Sequence, residues 1–161
     1  MRKKKVLVVE DEPTVRNVCD LILRRNGFDP ILAMDGVQGL STFEERHEEI
    51  CLVLSDVAMP NMGGIEMVRT LFETYHHPNV IMMSGRNLSD LVPEDVKRLC
   101  SIIEKPFTPK GLIEAVRNAS STRKSIIPPF QAETSQILAN SKRLIPIPWH
   151  HDRRGCSDNP S

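Results

Sequence analysis

The feature that most restricts this chain is an alternation: over its first 120 residues, short apolar runs alternate five times with longer amphipathic stretches. Residues 6–9 read Val-Leu-Val-Val, an unbroken run with the length and branching of a strand buried on both faces. Val15, Val18, Cys19, Ile22 and Leu23 then recur at the spacing of one helix face. Pro13 suits the first turn of that helix and Gly27 its end. Residues 30–33 make a weaker strand, and Asp35 is placed to cap a helix with Val37, Leu40 and Phe43 on one side. Residues 51–55 are the next strand. A turn carrying Pro60, Gly63 and Gly64 follows, then a helix with Ile65, Val68, Leu71 and Phe72. Residues 80–83 form a fourth strand, 88–99 hold a short polar helix, and 101–103 form a fifth strand. Thr108 caps a last helix that opens at Pro109 and turns Leu112, Ile113 and Val116 inward.

Strand-then-helix repetition predicts an α/β fold: a doubly wound, five-stranded parallel sheet with helices on both faces, its crossovers right-handed. The texture changes near residue 120. Ser120-Ser121-Thr122 and Pro128-Pro129 mark a break, and Pro146 and Pro148 follow. The expected organisation is one domain over 1–120 and a Pro-containing flexible tail over 121–161, with at most one short helix, over 131–144.

Composition narrows the function. The formal net charge is zero, from 21 basic and 21 acidic residues. It splits into −3 over residues 1–120 and +3 over the tail, and neither part is basic enough to argue for nucleic-acid binding. No DNA binding is expected on that ground, nor from a 41-residue tail too short for a winged-helix output. No run approaches the roughly 20 apolar residues of a membrane span, so no membrane insertion is expected. The basic N-terminus leads into only four apolar residues before Glu10, which is too few for a signal peptide. Cys19, Cys51, Cys100 and Cys156 lie far apart with no CxxC spacing, the pattern of a reduced, cytoplasmic chain. His76-His77 and His150-His151 lack metal-ligand spacing and read as solvated loops.

Open parallel sheets bind ligands beyond the carboxyl ends of their strands. Here those ends carry Glu10, Asp11 and Glu12 after the first strand and Asp56 after the third. Ser84 and Gly85 follow the fourth, and Glu104, Lys105 and Pro106 the fifth. Taken singly, each has a structural explanation: acids at a helix N-terminus, a turn aspartate, a loop serine, a surface lysine. Taken together they make a chemical set. Clustered carboxylates repel unless a cation or a proton joins them. A hard divalent ion, Mg²⁺ or Mn²⁺, meets that need with carboxylates, water and a phosphate as ligands. A carboxylate beside such an ion can attack phosphorus. Lysine and hydroxyl groups then take up charge on the transferred oxygens.

The same residues resemble a family. Lys5-Val6-Leu7-Val8-Val9-Glu10-Asp11-Glu12-Pro13 is similar to the opening of a response-regulator receiver domain. Leu54-Ser55-Asp56-Val57-Ala58-Met59-Pro60-Asn61-Met62-Gly63-Gly64 is similar to its phosphorylation loop, Met82-Met83-Ser84-Gly85 to its switch-hydroxyl segment, and Lys105-Pro106-Phe107 to its lysine segment. The match covers about residues 3–120. It implies the flavodoxin-like receiver sheet with strand order 2-1-3-4-5. It also implies that Asp56 is the phosphoacceptor and that Asp11, Asp56 and the backbone carbonyl of Ala58 are metal ligands. Glu10 completes the acidic pair, reaching the metal directly or through water. Ser84 and Lys105 bind the phosphoryl group, and the Lys105–Pro106 bond is cis. Three positions depart from the family pattern. Glu10 stands where Asp is most common, Gly63 where an acid is frequent, and Ile102 where Tyr or Phe usually precedes the lysine by three residues.

The expected function is therefore a phosphorylation-controlled signalling switch and not a classical enzyme. Its phosphodonor is a sensor histidine kinase or a histidine phosphotransfer protein, and its readout a downstream protein effector or a homodimer. Two alternatives stand beside this. One is a degenerate receiver that binds partners without phosphorylation. The other is a metal-dependent aspartyl-phosphate phosphatase, although Ala58 occupies the position where haloacid-dehalogenase-like enzymes carry a second Asp.

Overall fold

The computed structural model describes residues 3–75, 78–85 and 92–121. These all lie in the compact unit Met1–Ile126; the second unit, Ile127–Ser161, lies outside the described residues. So do the expected tail helix over 131–144 and both histidine pairs.

Five strands and five helices alternate along the chain: β1 Lys5–Val9, α1 Pro13–Arg25, β2 Asp29–Ala33, α2 Gly36–Arg46, β3 Ile50–Asp56, α3 Gly64–Thr74, β4 Val80–Ser84, α4 Glu94–Leu99, β5 Ser101–Glu104 and α5 Pro109–Ser121. The strands form one parallel sheet in the order β2-β1-β3-β4-β5. Successive strand residues face opposite sides, and this divides the interior in two. Leu7, Val9, Val53 and Met82 pack with Phe43 of α2, Met67, Val68 and Leu71 of α3, and Val96 of α4. Val6, Val8, Leu52, Leu54, Ile81 and Met83 pack with Cys19, Ile22 and Leu23 of α1 and Leu112, Ile113 and Val116 of α5. Each central strand thus feeds two cores at once, which is why β1, β3 and β4 read as unbroken apolar runs. The edge strands β2 and β5 are only partly buried, and their sequences are correspondingly mixed.

Local signals set the element ends. Asp35 Oδ1 accepts from the Gln38 N–H at 2.8 Å and caps α2. Thr108 Oγ1 accepts from the Gly111 N–H at 3.0 Å and caps α5. Pro13 opens α1, and Gly27 leaves it at φ 87°, a conformation that glycine adopts without a Cβ clash. Two inward-facing expectations fail: Val18 is 46% exposed and Val37 53% exposed. On α1 the buried stripe centres on Cys19, Ile22 and Leu23, leaving Val18 at its margin. On α2 the packed side carries Gly36, Gly39 and Phe43. A Cβ on Gly39 would meet Met67 and Val9 within 3.1 Å, so the helix backbone itself lies against the core and turns Val37 outward. The polar helix expected over 88–99 occupies Glu94–Leu99; residues 86–91 lie outside the described residues. No helix among the described residues is long and apolar enough to cross a membrane.

Candidate functional site

The sheet brings four distant segments to one edge. Asp56 and Ser84 are the last residues of β3 and β4. Glu10 follows β1 directly, and Lys105 follows β5. The Lys105 ammonium lies between two carboxylates, 2.6 Å from Asp56 Oδ1 and 2.7 Å from Glu10 Oε2. Asp56 Oδ2 accepts from the Ala58 N–H at 3.0 Å. Glu10, Asp11 and Asp56 each offer an oxygen within 4.8 Å of the others. Glu10 is 1% exposed and Asp56 7% exposed, whereas Asp11 is exposed, so the cluster has a floor and an open side.

Ser84 is buried, but its hydroxyl donates to the Gly85 carbonyl at 3.1 Å and not to the carboxylates. Its link to the site is through the backbone: the Lys105 N–H donates to the Ser84 carbonyl at 2.6 Å. The Lys105–Pro106 bond is cis. Ile102, opposite Met82 in the sheet, packs against the same core as Val92, Val96 and Cys100. The loop after Asp56 is tied down at Asn61, which adopts φ 63° and donates its side-chain amide to Asp35 Oδ2 at 2.9 Å. That contact and the bond to Gln38 hold the Asp35 carboxyl below its ordinary pKa.

Three acids around one ammonium leave excess negative charge. Burial raises the Glu10 pKa above its ordinary 4.5, and the nearby Asp56 charge adds to this; the Lys105 hydrogen bond opposes it without cancelling it. Burial acts to lower the Lys105 pKa, but the hydrogen bonds to Asp56 and Glu10 outweigh it and the net shift is upward. An acid whose pKa is raised on folding binds its proton more tightly in the folded state, so its charge weighs against folding as pH rises. Glu10→Gln is therefore expected to raise the melting temperature at neutral pH in the presence of a chelator. The gain should shrink as pH falls and vanish below about 4.5, the ordinary value for the free carboxyl. Thermal melts across that range check this; a lower melting temperature at neutral pH would show that the ion pair with Lys105 dominates.

An excess of hard oxygen donors with one side open is the donor set that Mg²⁺ or Mn²⁺ favours, so these residues fit such an ion. Glu10, Asp11 and Asp56 are the side chains that would hold it.

Sequence reasoning missed one participant. Arg16, in the first turn of α1, donates from Nη1 to the carbonyls of Glu10 at 2.6 Å and Asp11 at 3.1 Å. The available signal was its position, since a cation in the first turn opposes the helix dipole.

Residues 6–117 match the family model described as the response regulator receiver domain. The chain is 32% identical over 148 residues to the DNA-binding response regulator MtrA of Mycolicibacterium smegmatis, covering 92% of this chain and 61% of that protein. Among solved structures, the response regulator receiver domain protein from Clostridium thermocellum aligns with a TM-score of 0.68 at 28% identity, over 73% of this chain and 94% of that one. A chain of the CheX–CheY–BeF3–Mg complex from Borrelia burgdorferi aligns with a TM-score of 0.66 at 26% identity, over 71% and 87%. These relatives correct one expectation. The expected absence of DNA binding rests on charge and tail length, yet the matched relative is described as a DNA-binding response regulator, and this chain spans about three fifths of it. A match of 148 residues is also longer than the whole of 1–120, so the resemblance runs on into the tail. Charge averaged over these residues is thus no guide to what the matched proteins bind.

Proposed function

The chain belongs to the response regulator receiver domain family, and from that premise we propose that it is a two-component switch that takes a phosphoryl group on Asp56. The observation that carries this is the convergence of Asp56, Glu10, Asp11 and Lys105 on one small site, with the Lys105 ammonium 2.6 Å from the acceptor carboxylate. A bound divalent cation would supply charge neutralisation for the incoming phosphoryl oxygens.

The chain's own groups do the rest. An Asp56 carboxylate oxygen attacks phosphorus in line, forming a P–O bond as the P–N bond of a phosphohistidine breaks, and the departing imidazole nitrogen takes up a proton. Lys105 follows the negative charge from the carboxylate to the phosphoryl group. The Ser84 hydroxyl turns from the Gly85 carbonyl to a phosphoryl oxygen. The added charge, about −1.5 to −2 at neutral pH, thereby draws the segments after β4 and β5 toward the site. A histidine kinase or phosphotransfer protein suits the role of donor. The MtrA relative's description as a DNA-binding response regulator supports a readout that ends in DNA binding.

Incubation with Mg²⁺ and phosphoramidate tests the reading. The expected result is a mass gain of a single PO₃H unit that a chelator prevents. No gain with either phosphoramidate or acetyl phosphate would overturn it, and multiple turnover of assorted phosphoesters would favour a phosphatase.

A further inference from the structure

The acid chemistry of the site does not account for Arg16. A guanidinium in the first turn of α1 faces the positive end of the helix, an unfavourable place for a cation unless something local holds it there. What holds it is a single nitrogen, Nη1, donating to two consecutive carbonyls, Glu10 at 2.6 Å and Asp11 at 3.1 Å. Those carbonyls belong to the residues whose side chains form the acidic pair. The same short loop is fixed at its start by the Glu10 N–H on the Ala33 carbonyl at 3.1 Å. At its end the Arg16 N–H reaches the Glu12 carbonyl at 3.0 Å. Between those points the Glu12 N–H makes a long contact of 3.4 Å to Glu10 Oε1, and Glu10 Oε2 accepts from the Lys105 ammonium at 2.7 Å.

We propose that Arg16 is a positioning residue for cation binding: by holding the Glu10 and Asp11 carbonyls on its own side of the loop, it keeps both carboxylates turned toward Asp56. The proposal rests on the reading that this site takes a divalent cation. It does not require Arg16 to touch the ion.

Two opposed effects make the idea testable by sign. If Arg16 acted only as a nearby positive charge, removing it would strengthen cation binding, because repulsion would be relieved. If it positions the loop, removing it weakens binding, as loss of a group that orients metal ligands does, by roughly 10- to 100-fold.

The experiment uses the full chain and Mn²⁺, with the free ion followed by electron paramagnetic resonance, on Arg16→Ala, Arg16→Lys and Arg16→Gln. Arg16→Ala is expected to bind Mn²⁺ about tenfold more weakly. Its melting temperature in chelator should stay close to that of the parent, and its melting temperature in Mn²⁺ should be lower. Arg16→Lys should recover part of the affinity, because an ammonium still carries donors for both carbonyls. Unchanged or tighter binding in folded Arg16→Ala overturns the proposal, as does a parent chain that binds no Mn²⁺. If Arg16→Ala fails to fold by circular dichroism, the other two variants decide. Affinity must fall in the order parent, Lys, Gln, and equal or reversed affinities overturn the role. Failure of the phosphoacceptor reading would show separately, as a parent that binds Mn²⁺ normally but takes no phosphoryl group from phosphoramidate.

Discussion

Asp56→Asn is expected to remove the phosphoryl label entirely while leaving the fold in place. The amide keeps the volume of the carboxylate and can still accept from the Ala58 N–H, which now reaches Asp56 Oδ2 at 3.0 Å. It has no anionic oxygen to attack phosphorus. Loss of the nucleophile from a covalent mechanism lowers the rate by roughly 10⁴-fold or more, which in a mass measurement is absence. The measurement is the gain of one PO₃H unit from phosphoramidate in parent and variant, with circular dichroism as a check on folding. Glu10 and Asp11 place oxygens within 4.8 Å of the Asp56 carboxylate, so they are the natural alternative acceptors. A label that persists in Asp56→Asn and maps to the peptide containing Glu10 and Asp11 would move the acceptor there and defeat the proposed assignment.

Gly64→Ala is expected to be the most damaging single-methyl change near the site. A Cβ at this position would overlap the Asp56 carbonyl oxygen and lie 3.0 Å from its carbon and 3.0 Å from Ser55 Oγ. The obstacle is backbone, so no flexible side chain can swing aside. Either α3 or the end of β3 must move, and the Gly64 N–H that donates to the Val57 carbonyl at 3.0 Å is strained in both cases. The expected loss is about 3 kcal/mol or more, seen as a fall in melting temperature on the order of 10 °C. Cation affinity should fall with it, because the end of β3 carries Asp56. Gly63→Ala is the control: its nearest neighbour would be the Val57 carbonyl at 3.4 Å, an ordinary contact. If the two alanine variants melt together, the close approach at Gly64 has been overvalued.

Both predictions concern residues that the sequence itself brings to notice, and the reason is physical. Strands covered on both faces must be apolar throughout, so residues 6–9, 51–55 and 80–83 announce β1, β3 and β4. The chemistry-bearing residues follow directly at their ends. Caps are local, and Asp35 and Thr108 show themselves by type and position. Packing that depends on the absence of a side chain is harder to read. Apolar spacing placed Val37 inward, whereas glycines mark the packed side of α2. Contacts between distant segments are harder still. Glu10 and Lys105 are 95 residues apart, and nothing in either segment says that the extra methylene of a glutamate ends on that ammonium. Arg16 is legible only through its place in the first turn of α1, because its partners are main-chain carbonyls.

The rung between the Lys105 amide and the Ser84 carbonyl, at 2.6 Å, gives the carboxyl edge of the sheet a mechanical property. The tips of β4 and β5 are yoked, so a displacement of the Lys105 main chain would be shared with Ser84 and Gly85. A coupling of this kind would run through main chain alone and would need no aromatic ring to swing. Position 102 could then hold a plain aliphatic filler, and Ile102 does sit against the core on β5, opposite Met82.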